Sequence, residues 1–156
     1  HQIIGMSIDK KVLEESPLFE NMSNYQRRKA VLISELNEFD EGNILVEQGT
    51  IGREMYLILS GEAEVIRHDG VGKSHKLATL LPGAIFGEIG YIRETDRTAD
   101  IKALTKISAL RFDYNRMQKD LKFFPNIVAK LNFNISYILG ERLADMVSQS
   151  KETEGD

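Results

Sequence analysis

Between residues 37 and 112 the chain is cut into short apolar or alternating runs: ILVE (44–47), MYLILS (55–60), AEVIRH (63–68), KLATLL (76–81), ADIKAL (99–104) and ISALRF (107–112). Turn-formers break most of them, at Gly42, Gly49, Gly52, Gly61, Gly70, Gly72, Pro82-Gly83 and finally Thr105-Lys106. Runs this short cannot carry the sustained three-to-four-residue period of a helix. Many short strands at such spacing predict an antiparallel β jelly-roll barrel rather than a parallel sheet. EAEVIRHDGVGKSHKLATL reads as a hairpin with a flexible tip at 69–74.

The flanks have a different texture. From Lys10 to Leu36, the residues Leu13, Leu18, Phe19, Tyr25, Val31 and Leu32 fall in patches that fit two short helices. Asn24 is the expected cap of the second, at roughly 25–34. After Phe112, Asp113 opens a short helix to Lys122. Pro125 then stands in the first turn of a longer helix over about 126–147, where its missing N–H costs nothing. Ile127, Leu131, Ile135, Ile138, Arg142 and Met146 mark one face, with Val128, Leu139 and Leu143 beside it. The expected organisation is an N-terminal extension (1–11), one mainly β domain with flanking helices (12–147), and a polar tail (148–156). The tail SQSKETEGD has no apolar side to bury and is expected to fray.

The 156 residues include 20 Lys+Arg against 24 Asp+Glu, a net charge of −4, and 42% are apolar. Nucleic-acid binding asks for a concentrated basic stripe; the nearest candidate, Arg27-Arg28-Lys29, reads as the solvated face of a helix. No apolar run approaches the roughly 18 residues of a membrane span. No cysteine is present, so disulfides, thiolate zinc sites and thiol nucleophiles are out. The amino end lacks a signal-peptide pattern, and a cytoplasmic domain is expected. It begins with His rather than Met, as expected of a domain cut from a longer protein.

Three imitations of function fail on context. GVGKS (70–74) resembles the end of a phosphate-binding loop, but Arg67 stands where that motif needs glycine, and the segment joins two strands. A metal-binding barrel needs convergent histidines; His1, His68 and His75 lack the spacing, so no metal is expected. No Gly-x-Ser-x-Gly elbow exists. The glycosylation sequons at Asn21 and Asn134 carry no weight without a secretory signal.

FGEIGYIRETDRTADI (86–101) remains. Gly87 allows a tight turn or a close backbone approach. EIGYI makes one helical turn, with Ile89 and Ile92 expected to face inward, and its start presents unpaired N–H groups that suit an anion. Arg97 follows Glu88 by nine residues. A guanidinium takes two phosphate oxygens, and a carboxylate suits the hydroxyls of a ribose. The competing reading is that Glu88 and Arg97 pair only with each other.

This stretch resembles the phosphate-binding cassette of the cyclic-nucleotide-binding domain family, shared by catabolite-activator-type regulators, cyclic-nucleotide-dependent kinases and gated channels. The family pattern is Phe-Gly-Glu, an apolar and a small residue, and later Arg-(Ala/Thr/Ser)-Ala. Here it is Phe86-Gly87-Glu88-Ile89-Gly90 and Arg97-Thr98-Ala99. GNILVEQG (42–49), MYLILSGEAEVI (55–66) and LLPGAIFGE (80–88) extend the likeness, which covers about residues 12 to 146.

The resemblance implies a non-catalytic sensor of cyclic AMP, with cyclic GMP open, and no cofactor. Glu88 takes the ribose hydroxyl and Arg97 the cyclic phosphate; Gly87, Ile89 and Gly90 frame the sugar-phosphate; Thr98 and Ala99 line the pocket. The helices after the barrel carry the signal, and Tyr137, Arg142 and Leu143 are candidate lid residues over the base. The stripe Leu131, Ile135, Ile138, Met146 packs on the barrel or pairs with a second copy in a homodimer. There are departures: Gly90 stands where alanine is usual, Tyr91 where leucine is common, and Asp96 where proline is frequent. Asp96 could orient Arg97 or compete for it. The alternatives are a piece of a catabolite-activator-type transcription regulator and a degenerate barrel used only for interaction. An enzyme has no supporting residues.

Overall fold

The computed structural model describes residues 10–155, with side chains from 10 to 150; most of the expected N-terminal extension lies outside them. The chain opens with α1 (Lys10–Glu15), a 3-10 turn (Pro17–Phe19) and α2 (Asn24–Ile33). Strands follow: β1 (Glu35–Phe39), β2 (Ile44–Val46), β3 (Glu54–Ser60), β4 (Ala63–His68), β5 (Ser74–Leu80) and β6 (Ile85–Phe86). A one-turn helix α3 (Glu88–Ile92) precedes β7 (Asp100–Ala103) and β8 (Ile107–Asp113). The chain ends with α4 (Tyr114–Asp120) and α5 (Pro125–Gly155).

The strands form two four-stranded sheets, ordered β1-β8-β3-β6 and β2-β7-β4-β5, and every strand pairing is antiparallel. This mainly β architecture with flanking helices matches the expected jelly roll. Two strands escaped the sequence reading. β1, ELNEF, is half polar and only partly buried, so no apolar run betrays it. β6 spans two residues and is defined by its pairing with Tyr56 and Leu57.

β3 explains how the core is divided. Its residues Met55 to Leu59 are all buried, which a one-sided strand would not show. Alternate side chains point to opposite faces. Met55, Leu57 and Leu59 join Leu110 and Phe112 under the helices. Tyr56 and Ile58 join Val46, Phe86, Ile101 and Ile107 between the sheets. β5, at the edge of the second sheet, keeps six of its seven residues exposed.

The helices seat on the first sheet. Ser23, not Asn24, caps α2: its Oγ accepts from the Gln26 amide while Gln26 Oε1 accepts from the Ser23 amide, a reciprocal capping box. Asp113 caps α4 as expected, accepting from the Arg116 amide at 3.2 Å. α5 buries Ile127, Leu131, Ile135 and Ile138, but Met146 and Leu143 are exposed. Its helical backbone continues through Gly155 where the sequence suggests fraying. Asn134 is 4% exposed, and its Nδ2 donates to the carbonyls of Leu18 (2.8 Å) and Glu20 (2.9 Å). A residue dismissed as a stray sequon is the polar pin of the helix.

No helix among the described residues is long and apolar enough to cross a membrane. The β4–β5 hairpin tip falls at 69–73, between His68 and Ser74. His68 Nε2 lies 2.7 Å from Asp100 Oδ2 and its Nδ1 lies 2.9 Å from Ser74 Oγ, tying the hairpin to β7. Partial burial opposes ionisation of Asp100, yet the Gln48 amide and His68 hold its carboxyl below the usual value.

Candidate functional site

The turn between β6 and α3 is built on Gly87, whose φ of 79° is a left-handed conformation that side chains disfavour. A Cβ there would also stand 2.6 Å from the Glu54 carbonyl oxygen. The turn therefore needs glycine twice over. In α3 the buried residues are Glu88, Gly90 and Tyr91. Ile89 and Ile92, expected to face inward, are 46% and 37% exposed. Tyr91 takes the inward position and meets the Tyr114 ring edge-on at 5.4 Å. Burial pushes its phenol well above the usual tyrosine value.

Arg97 is 8% exposed and held on three sides. Its Nη2 donates to the Glu54 carbonyl at 2.9 Å and to Glu54 Oε2 at 3.0 Å, and its Nη1 to the Gly87 carbonyl at 3.3 Å. Its backbone is pinned as well: the amide donates to Thr50 O and the carbonyl accepts from the Gly49 amide, both at 2.8 Å. Glu54 Oε1 in turn accepts from Arg111 at 3.3 Å. Gly90 gives the guanidinium room, since a Cβ there would stand 2.6 Å from Arg97 Nη1 and 2.6 Å from the Gly52 carbonyl oxygen.

Glu88 is 7% exposed and does not pair with Arg97. Its Oε1 accepts from Nη1 of Arg142, while Nη2 of Arg142 donates to the Ile85 carbonyl at 2.6 Å. The pairing of Glu88 with Arg97 across the loop is thus replaced by two separate ion pairs, each with a partner from another element. Asp96 is exposed and holds a backbone bridge to Ile51. The carboxylate that grips Arg97 is Glu54.

These groups open on one cavity of about 330 Å³. Phe86, Gly87, Glu88, Ile89, Gly90, Arg97, Thr98 and Ala99, all singled out from the sequence, line it. Val46, Val65, Ala78, Leu80, Ile85 and Ile101 give it an apolar wall, and Arg142 reaches in from α5. Of the other two candidate lid residues, Tyr137 is 60% and Leu143 62% exposed, and neither lines the cavity. Sequence reasoning missed Glu54 and Arg53, which flank the start of β3 and belong to no motif. Among the described residues no group of His, Asp and Glu is arranged to hold a metal ion.

A cavity with an apolar wall, one buried carboxylate and one buried guanidinium can hold a ligand that is both hydroxylated and anionic. The family model for the cyclic nucleotide-binding domain matches residues 36–122. This chain belongs to that family.

Curated members of the family resemble it in sequence. The cAMP-dependent protein kinase regulatory subunit of Schizosaccharomyces pombe is 37% identical over 111 residues, covering 69% of this chain and 26% of the relative. The Cyclic AMP receptor protein of Thermus thermophilus is 30% identical over 122 residues, covering 76% of this chain and 56% of the relative. A cyclic nucleotide-binding domain from Methylobacillus flagellatus shares the fold at a TM-score of 0.79 and 22% identity, covering 89% of this chain and 78% of that one. The chain spans about a quarter of the length of the kinase regulatory subunits it matches. Those relatives are named as regulatory subunits, and residues 36–122 of this chain form a domain of the cyclic nucleotide-binding family.

Proposed function

We propose that this domain binds a cyclic nucleotide, cyclic AMP before cyclic GMP, and passes its occupancy to α4 and α5. The observation that carries the reading is that Glu88 and Arg97, both buried, share one cavity with an apolar wall. Arg97 meets the cyclic phosphate and Glu88 the ribose 2′-hydroxyl. Gly87, Ile89 and Gly90 frame the sugar-phosphate, and Thr98 and Ala99 stand beside it. The cavity volume falls in the range of small-molecule sites, about 300–1,000 Å³. Val46, Val65, Leu80 and Ile101 offer the base an apolar face.

Binding can signal only through unequal affinity for two arrangements of the protein. Arg142 supplies the link: it spans from α5 to Glu88 and to the carbonyl of Ile85, so a ligand hydroxyl arriving at Glu88 acts directly on the helix. Of the lid residues, Arg142 is retained. Of the stripe Leu131, Ile135, Ile138 and Met146, the first three are buried in the domain's own core, so a second copy of the chain would meet α5 at Met146 with Leu143 and Val147 beside it.

Calorimetry with cyclic AMP, cyclic GMP and linear AMP, on wild type and Arg97→Ala, tests the reading. Micromolar binding of a cyclic nucleotide, lost on Arg97→Ala, is expected. Absence of binding by either cyclic nucleotide refutes the sensor, and equal binding of linear AMP refutes the cassette assignment.

A further inference from the structure

We infer that Arg53 is the positioning residue that locks the orientation of α3 to that of α4, so that ligand contact at the cassette is felt at the start of the C-terminal helices. The inference rests on the cyclic-nucleotide reading above. A five-residue helix has more unpaired carbonyls than paired ones. In α3 the Ile89 carbonyl accepts from the Arg93 amide. The next three carbonyls all go to Arg53: Nη2 donates to Tyr91 O at 2.8 Å and to Ile92 O at 3.2 Å, and Nε to Gly90 O at 3.4 Å. A cation at this end also complements the helix dipole.

The same guanidinium lies over the ring of Tyr114, the first residue of α4, 3.5 Å from its centroid. The backbone repeats the link, for the Tyr114 amide donates to the Arg53 carbonyl at 3.1 Å. The Tyr114 ring completes a closed set of contacts by meeting Tyr91 of α3. One side chain therefore touches the end of the cassette helix and the start of α4 at once, from the rigid entry of β3. Its neighbour Glu54 grips Arg97. Two consecutive residues thus hold the cassette at both ends. A tilt of α3 must either drag the stacked pair or break three hydrogen bonds. Lysine cannot replace this arrangement, since a single ammonium offers neither the planar fork nor the flat stacking surface.

The test uses the full chain, cyclic AMP and amide NMR. Arg53→Met and Arg53→Lys are both expected to weaken cyclic AMP binding by about tenfold or more, the loss typical of hydrogen bonds from a charged donor. In both variants cyclic AMP is expected still to shift the amides of Glu88 to Ile92, while the shifts expected at Tyr114 to Asp120 in wild type disappear. Tyr114→Leu gives the same loss at α4, and adding it to Arg53→Met has no further effect. If Arg53→Met fails to fold, Arg53→Lys and Tyr114→Leu decide the matter on the same amides. Wild-type affinity in Arg53→Lys, or undiminished α4 shifts in the variants, overturns the inference while leaving the sensor intact. Failure of the wild-type chain to bind any cyclic nucleotide removes the sensor reading and this inference with it.

Discussion

Asn134→Ala tests how the long helix is held. Asn134 is buried in α5, and its Nδ2 donates to two carbonyls of the N-terminal segment. The two acceptors are not equivalent. Leu18 is fully buried, so its carbonyl loses its donor without water to replace it; Glu20 is exposed, and water can take over. The first loss costs about 1–3 kcal/mol and the second about 0.5–1 kcal/mol. The sum, about 1.5–4 kcal/mol, corresponds to a fall in Tm of roughly 3–16 °C for a domain of this size. Urea titration followed by far-UV circular dichroism measures it. Asn134→Asp keeps the shape but sets an acceptor against two acceptors, so it must be worse than alanine. Arg142 lies eight residues further along α5, roughly 12 Å by helix rise, so the loosened helix also weakens its hold on Glu88. A stability change under about 0.5 kcal/mol for Asn134→Ala, the scatter of neutral surface substitutions, would refute the reasoning.

Gly90→Ala sets about 1 kcal/mol of helix propensity against an overpacking cost of about 1–3 kcal/mol, because the new methyl meets a backbone oxygen and Arg97. Lower Tm and weaker cyclic AMP binding are expected; a higher Tm at unchanged affinity would contradict the close fit. Ser23→Ala removes one half of the capping box and is expected to cost about 1 kcal/mol in denaturant titration, with ligand affinity unchanged. Asp100→Asn carries a pH signature. The folded carboxyl titrates below its ordinary 3.8, so the unfolded chain binds more protons there. Its stabilisation is full above that value and is lost as pH falls through the folded pKa. Wild type should exceed Asp100→Asn in stability at neutral pH, and the gap should close below about pH 3.8; a gap constant down to acid pH would sink the assignment.

Much of the architecture was legible because it rests on local rules. Glycine-bounded runs mark strands, Pro125 marks a helix start, and the spacing from Phe86 to Ala99 marks the cassette. What failed did so for physical reasons. ELNEF has no apolar signature, because only its pairing with β8 makes it a strand. Ile89 and Ile92 looked like the inward face of α3, but a single turn cannot choose its face by hydrophobicity alone. Tyr91 won because β3 and α4 left a buried space beside Tyr114.

The sequence by itself picked out the cassette side of the cavity, Phe86 to Gly90 and Arg97 to Ala99, with its two buried charges, Glu88 and Arg97. Only the tertiary structure decided what each charge meets. Chain spacing places Asp96 beside Arg97, yet Arg97 is held by Glu54, 43 positions away; the competing reading paired Glu88 with Arg97, yet Glu88 meets Arg142, 54 positions away. Spacing along a chain fixes what is near within a loop. Burial removes water as a partner, and a buried charge then pairs with whatever element the packing brings to it.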